Sequence, residues 1–406
     1  MTWHCQSMRI LNITNQVPYP PMSGATLRVY NILRRIARKN QVYVAAFRDT
    51  DSEPEGADHL RRFCQEVVTV KRKTLRDSMH LGVAFASLLQ GDPPELRLVF
   101  CKELAQEIRR LAEQIEFDVI VIDHGSMGMY VDALPEHLRK RAVWILHDID
   151  FEKFKQIARI EQDKVAKARA WVHAATMRRW QPAFASRFGA CVVMSEADRR
   201  LLLLTNADLS VAVSPNGVDT EYCRPLPGNG DSNEMLLIGN MAYQPNIDAA
   251  VYFCKEVLPL IRKDVADAKA RIVGINAGAT VRGLEGNGIF VTGGVPEVEP
   301  YYKKAKVCVV PLRAGSGTRL KVLEAMAFGR PVVSTSIGCE GLGVVDGEHI
   351  LLADGSKRFA EQSIKLLTQN ELRMRIASSA RQFVVASYDW NIIADKLMVD
   401  LEGLMG

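Results

Sequence analysis

The chain has 406 residues, 48% of them apolar and 24% charged, with a formal net charge of +5. That length exceeds one ordinary core and implies two domains, while the composition excludes a disordered or fibrous chain. So modest a positive charge, with no nucleic-acid-binding motif, argues against nucleic acid as a partner, and no apolar run approaches the ~20 residues of a membrane span, the longest being Leu81–Leu89.

In chain order, the opening MTWHCQS lacks a basic start leading into an apolar stretch, so no secretory signal is expected. Short apolar, β-branched runs then alternate with helical stretches. In the first half, strands are predicted over 8–14, 41–47, 66–72, 117–123, 142–148, 190–195 and 210–215. In the second half they are predicted over 234–240, 270–276, 288–294, 306–312, 330–336 and 349–354. Continuously apolar strands between helices indicate parallel sheets covered on both faces. Two such series predict an α/β chain of two doubly wound, Rossmann-like domains, 1–215 and 233–388, facing across a cleft. The linker is placed at 216–232, where proline and glycine cluster and periodicity stops. A last helix within 389–406 is expected to cross back to the first domain. The eight cysteines are scattered without metal-ligand spacing, several inside apolar strands, which suits free thiols in a reducing, cytoplasmic compartment.

Ligands of such sheets sit beyond the carboxyl ends of strands. Three features of the first half lie there. Gly24 falls in a strand-to-helix turn, Pro20–Gly24, where a ligand can approach the backbone closely. His124 and His147 end successive strands; an imidazole there can hydrogen-bond a sugar hydroxyl or move a proton, and a satisfied structural histidine is the plain alternative. Asp148-Ile149-Asp150 has the spacing of a metal-binding DxD, yet two aspartates reach it by chance, and no metal site is predicted. Charge is uneven too: residues 1–215 hold 31 Lys+Arg against 25 Asp+Glu. Within 153–187 there are nine cations against two anions, with Trp171, Trp180 and Phe184 interleaved. That pattern suits docking on an anionic, inner-leaflet membrane face, or is a solvated helix face.

The most informative stretch is 311–335. A strand end, Val309-Val310-Pro311, runs into a small-residue loop, Gly315-Ser316-Gly317-Thr318, and a helix carrying Arg319, Lys321 and Glu324. Gly329 suits a left-handed cap and Pro331 stops the helix. Two cations in a first helical turn oppose the macrodipole, and a bound anion resolves the conflict, since free N–H groups at a glycine-rich helix start cradle phosphate. A surface Lys321–Glu324 pair is the alternative.

Together these pieces resemble the retaining glycosyltransferases of family 4, which have the two-Rossmann GT-B fold. The resemblance rests on the Gly24 turn, His147, Ser195-Glu196-Ala197-Asp198 and Pro215-Asn216-Gly217-Val218-Asp219. It continues through Ile238-Gly239-Asn240 with Pro245-Asn246, then Glu324-Ala325-Met326-Ala327 and Gly329-Arg330-Pro331-Val332-Val333. The GSGTRLKVLEAMA tract resembles a subgroup associated with exopolysaccharide assembly. The resemblance implies transfer, with retention, from a nucleotide diphosphate sugar to a glycan or lipid-linked acceptor bound by the first domain. It implies His147 and Glu324 as catalytic residues and Gly24, Gly239, Gly315, Ser316, Gly317, Thr318, Arg319, Lys321 and Glu324 as donor-binding residues. No cofactor is implied, and no metal is required where protein cations neutralise the phosphates. Two departures stand out. Ser316 occupies the place of the first of two family glutamates, and Asn240 that of a phosphate-binding arginine. They keep open two other readings, a non-catalytic GT-B partner and another GT-B enzyme such as a nucleotide-sugar epimerase.

Overall fold

The computed structural model describes residues 7–21, 23–48, 54–72, 93, 96, 99–161, 163–227, 232–315 and 319–405. Cys5, Met22, Leu81–Leu89, residues 228–231 of the expected linker, and Ser316, Gly317 and Thr318 lie outside them.

Each predicted strand is found. The first seven are β1 (Arg9–Thr14), β2 (Gln41–Arg48), β3 (Glu66–Lys71), β4 (Val119–Asp123), β5 (Ala142–Leu146), β6 (Ala190–Val193) and β7 (Val211–Val213). They form one parallel sheet in the order β3-β2-β1-β4-β5-β6-β7. The other six are β8 (Glu234–Ile238), β9 (Lys269–Val273), β10 (Ile289–Gly293), β11 (Val307–Val310), β12 (Val332–Ser334) and β13 (Leu351–Leu352). They form a second parallel sheet, β10-β9-β8-β11-β12-β13. The cause is visible in the sequence: VIVID of β4, AVWIL of β5 and VCVV of β11 are buried at every position, as strands covered on both faces must be.

Strand order reverses between β1 and β4 in one sheet and between β8 and β11 in the other. A crevice opens at such a switch point beyond the carboxyl ends of the strands. Gly24 and Asp123 follow β1 and end β4; Gly239 and the 311–321 segment follow β8 and β11.

The chain divides into two compact units, each with its own core. The first comprises 1–152, 172–215 and 393–406; the second comprises 153–171 and 216–392. The helix Lys164–Ala185 is thus shared between them, as is the last helix, Trp390–Met405. In the first unit Leu397 and Leu401 of that last helix are buried and share a small crevice with Ile32, Ile36 and Val121. The described part of the expected linker is tied to the second unit. Val218 exchanges backbone hydrogen bonds with Tyr388 and Trp390, and Arg381 donates to the carbonyls of Thr220, Cys223 and Ala327.

Candidate functional site

In the second unit, β11 ends at Val310 and the chain turns through Gly315, whose φ of 127° is open to glycine alone. The helix that follows is Leu320–Ala327, and it does not include Arg319. Arg319 has a non-helical ψ of 77° because its buried guanidinium turns back, donating to the carbonyls of Gly315 (2.8 Å) and Ile337 (3.2 Å). The expectation of two cations in one first turn is therefore corrected: Arg319 closes the loop, and Lys321 alone stands in the turn. The helix ends as its residues require. Gly329 has φ 70°, its N–H reaches Met326 O, and the Arg330 N–H reaches Ala325 O, the paired bonds of a Schellman cap.

Lys321 and Glu324 lie one turn apart, both half-buried, yet form no ion pair with each other. Lys321 Nζ donates to Asn246 Oδ1 at 2.7 Å, and Asn246 Nδ2 donates to Asn240 O at 2.9 Å. The hydroxyl of buried Tyr302 donates to Glu324 Oε2 at 3.3 Å. Burial pushes the Lys321 ammonium down to about 7, with the charge of Arg319 adding to the effect. Burial pushes the Glu324 carboxyl up to about 7, opposed by the Tyr302 hydrogen bond and by Lys321. Both groups thus sit where a partner would decide their charge. Gly239, at the end of β8, borders the same spot: a Cβ there would come within 3.1 Å of Lys321 Nζ and 2.8 Å of Asn246 Nδ2. The Gly315 N–H is held by Gln156 Oε1 at 2.8 Å, also within the second unit.

Gly239, Gly315, Arg319, Lys321 and Glu324 are therefore brought together in one unit, and Gly24 and His147 belong to the other. Gly24 is the first residue of the helix Gly24–Ile36, capped by Ser23, whose hydroxyl accepts from the Thr26 N–H while the Thr26 hydroxyl accepts from the Ser23 N–H. His147 lies just past β5, 13% exposed at its side chain, with Nε2 2.6 Å from Asp123 Oδ1. Asn246, Tyr302, Gln156 and Asp123 were not singled out from sequence for these contacts. Asp123 carried a signal, a carboxylate closing an otherwise apolar strand; Gln156 carried none.

Two family profiles account for most of the chain: "Glycosyltransferase Family 4" matches residues 22–222 and "Glycosyl transferases group 1" matches residues 232–369. The chain belongs to the family 4 glycosyltransferases. The chain is 29% identical over 164 residues to an uncharacterised 44.6 kDa protein of the cps region of Klebsiella pneumoniae, a match over 38% of this chain and 42% of that one. It is 28% identical over 220 residues to the GDP-mannose-dependent alpha-(1-6)-phosphatidylinositol monomannoside mannosyltransferase of Mycobacterium tuberculosis, over 48% and 56% of the two chains. The matches thus span about half the length of these relatives. In fold, it is similar to Anabaena HepE, crystallised with UDP and glucose, with a TM-score of 0.66 at 17% identity over 98% of this chain and 100% of that one.

Among the described residues no three His, Cys, Asp or Glu side chains are grouped to hold a metal, and Ile149, between Asp148 and Asp150, is fully buried. In the basic stretch, the grouping of three aromatic side chains on a docking face is corrected. Trp180 and Phe184 are core residues, stacked at 4.4 Å and set edge-on to Trp144, because they fall on the helix face that also carries Ala174 and Met177. Trp171, Val165 and Val172 are exposed, among Lys164, Lys167, Arg169, Arg178 and Arg179. No described helix is long and apolar enough to cross a membrane.

Proposed function

We propose that this chain transfers a sugar, with retention, from a nucleotide diphosphate sugar to a glycan or lipid-linked acceptor, in the assembly of cell-surface or exported polysaccharide. The observation that carries the reading is the half-buried Lys321, held by Asn246 and packed against the backbone of Gly239, with its ammonium disfavoured until an anion arrives. A diphosphate supplies that anion, at a helix start whose N–H groups favour it. Glu324 one turn on accepts the ribose hydroxyls. In the reaction the bond from the anomeric carbon to the diphosphate oxygen breaks, the acceptor oxygen bonds to that carbon, and the acceptor proton passes to the departing phosphate oxygen. Lys321 and the helix start stabilise the charge that develops on the leaving group, an effect worth several kcal/mol. The HepE complex with UDP and glucose supports a nucleotide-sugar donor. The exposed cations around Trp171 suit an anionic membrane face, where lipid-linked acceptors reside.

A thermal-shift panel of nucleotide sugars tests donor binding, because a ligand at 100 times its dissociation constant adds ~2.7 kcal/mol. Release of nucleoside diphosphate from the stabilising donor, with membrane-extract acceptors, tests transfer. Turnover is expected to survive EDTA, since Lys321 and the N–H groups of the helix start neutralise the phosphates. Loss in EDTA, restored by Mn²⁺ and absent again in Asp148→Asn, moves the chemistry to Asp148–Asp150. Tight donor binding with no release above background selects the non-catalytic partner.

A further inference from the structure

Lys321 takes its direction from an uncharged partner. Asn246 lies in the first turn of the helix Gln244–Tyr252, which follows β8, and is 7% exposed. Its Nδ2 donates to Asn240 O at 2.9 Å, and its Oδ1 accepts from Lys321 Nζ at 2.7 Å. A main-chain carbonyl only accepts, so the amide nitrogen must face Asn240 and the amide oxygen must face the lysine. Asn240 is fixed in its turn: its Oδ1 accepts from the Ala242 N–H at 3.0 Å and from Asn276 Nδ2, beyond β9, at 3.2 Å. Gly239 makes the close approach possible, since a Cβ there would lie 2.9 Å from Asn246 Cγ. The ionisable groups near Lys321 are Arg319 and Glu324, whose charges act on it in opposite directions, with Tyr302 and Cys308 bordering the same small crevice. A carboxylate at position 246 would neutralise the ammonium, and an arriving phosphate would have to displace it. A carboxamide holds the ammonium and leaves its charge.

We infer that Asn246 is a positioning residue for donor binding: it aims the Lys321 ammonium at the diphosphate and, being uncharged, leaves that charge for the ligand to compensate. The diphosphate rests on the transferase reading; the hold on Lys321 does not. Asparagine is the right residue type here because it offers an acceptor to the lysine without a charge to compete with the phosphate, and a donor to the carbonyl that fixes its own orientation.

The test uses the full chain labelled with ¹³C-lysine and titrated without ligand, the Lys321 signal being assigned by its absence in Lys321→Arg. Wild type is expected to titrate at about 7, where burial holds the ammonium. In Asn246→Asp an opposite charge faces the ammonium, and the midpoint is expected to rise by more than about one pH unit. In Asn246→Ala the ammonium loses a hydrogen bond, and the midpoint is expected to fall. A side chain that merely filled space would move neither. Affinity for UDP, or for the diphosphate of whichever donor the panel selects, is then measured by calorimetry at neutral pH. It is expected to fall ~10–100-fold in Asn246→Asp, where a carboxylate opposes the phosphates, and ~3–10-fold in Asn246→Ala. In a Lys321→Ala background, Asn246→Ala is expected to cost less than about twofold further, because the group it positions is gone. Should Asn246→Asp not fold, Asn246→Ala carries both measurements. If the variants leave the Lys321 midpoint as in wild type, or if Asn246→Ala costs as much affinity without Lys321 as with it, the inference is overturned. Should neither UDP nor any nucleotide sugar bind wild type, the diphosphate reading fails by that result, and the lysine titration still decides the role of Asn246.

Discussion

Lys321 and Glu324 share one helix face yet are held by different neighbours, Asn246 and Tyr302, and each has been moved toward neutrality in charge by burial. The direction of each shift fixes how donor affinity must vary with pH. Lys321 has a depressed pKa of about 7, and a diphosphate favours its ammonium, so above that pH binding must take up a proton and affinity falls as pH rises. Glu324 has a raised pKa of about 7, and ribose hydroxyls need its carboxylate, so below that pH binding must release a proton and affinity falls as pH drops. Affinity for a nucleotide sugar, whose diphosphate has no group titrating there, is expected to peak near neutrality. Calorimetry from pH 5.5 to 9 checks this; affinity that climbs steadily across the range contradicts it. Glu324→Gln should remove the acid limb alone. The two cations of the segment also differ in what they hold. Arg319→Ala takes two hydrogen bonds from backbone carbonyls and is expected to cost about 1–3 kcal/mol of stability by urea unfolding. Lys321→Ala relieves an unfavourable buried ammonium, so it should leave stability level or higher while weakening donor binding by about 1–3 kcal/mol. Equal loss of stability in both variants would refute the distinction.

The helix Lys164–Ala185 has one face in the core and one bare. Its exposed cations and Trp171 predict co-sedimentation with vesicles containing anionic lipid and little with zwitterionic ones, weakening as salt rises. Charge reversal at Lys164, Lys167 and Arg169 should abolish it, and Trp171→Ala should reduce it; salt-independent or charge-blind binding would refute an electrostatic dock. At this scale the sequence was legible where burial is symmetrical. Every strand could be found because VIVID, AVWIL and VCVV have no polar alternation to obscure them, and the Gly329–Pro331 stop is written in two residue types with fixed backbone demands. It was less legible where a side chain chooses a distant partner. Arg319 reads as a first-turn cation until Ile337 supplies a carbonyl 18 residues away, and Asp123 meets His147 only through strand pairing. Trp180 and Phe184 show the same limit: their place in the core depends on which helical face meets Trp144.

At the scale of the whole molecule neither unit is a single stretch of chain. The first is completed by residues 393–406, where Ile393 is buried and buried Leu397 and Leu401 lie among apolar side chains. Each such side chain contributes roughly 1.5–3 kcal/mol on full burial, so a chain ending at 392 is expected to lose much of the first unit's stability. Differential scanning calorimetry reads this as a transition shifted by many degrees or absent; an unchanged profile would show that the last helix adds nothing. The consequence for biosynthesis follows from the order of the sequence. A ribosome makes chain from the N-terminus at roughly 5–20 residues per second, and domains ordinarily fold in the order in which they emerge. Here the sheet begun by Arg9–Thr14 waits for residues 393–405, while the second unit needs nothing beyond Ile392. The later-synthesised unit is free to fold first, and until Leu397 and Leu401 have emerged the nascent chain shows Ile32 and Ile36 to any chaperone at the tunnel mouth.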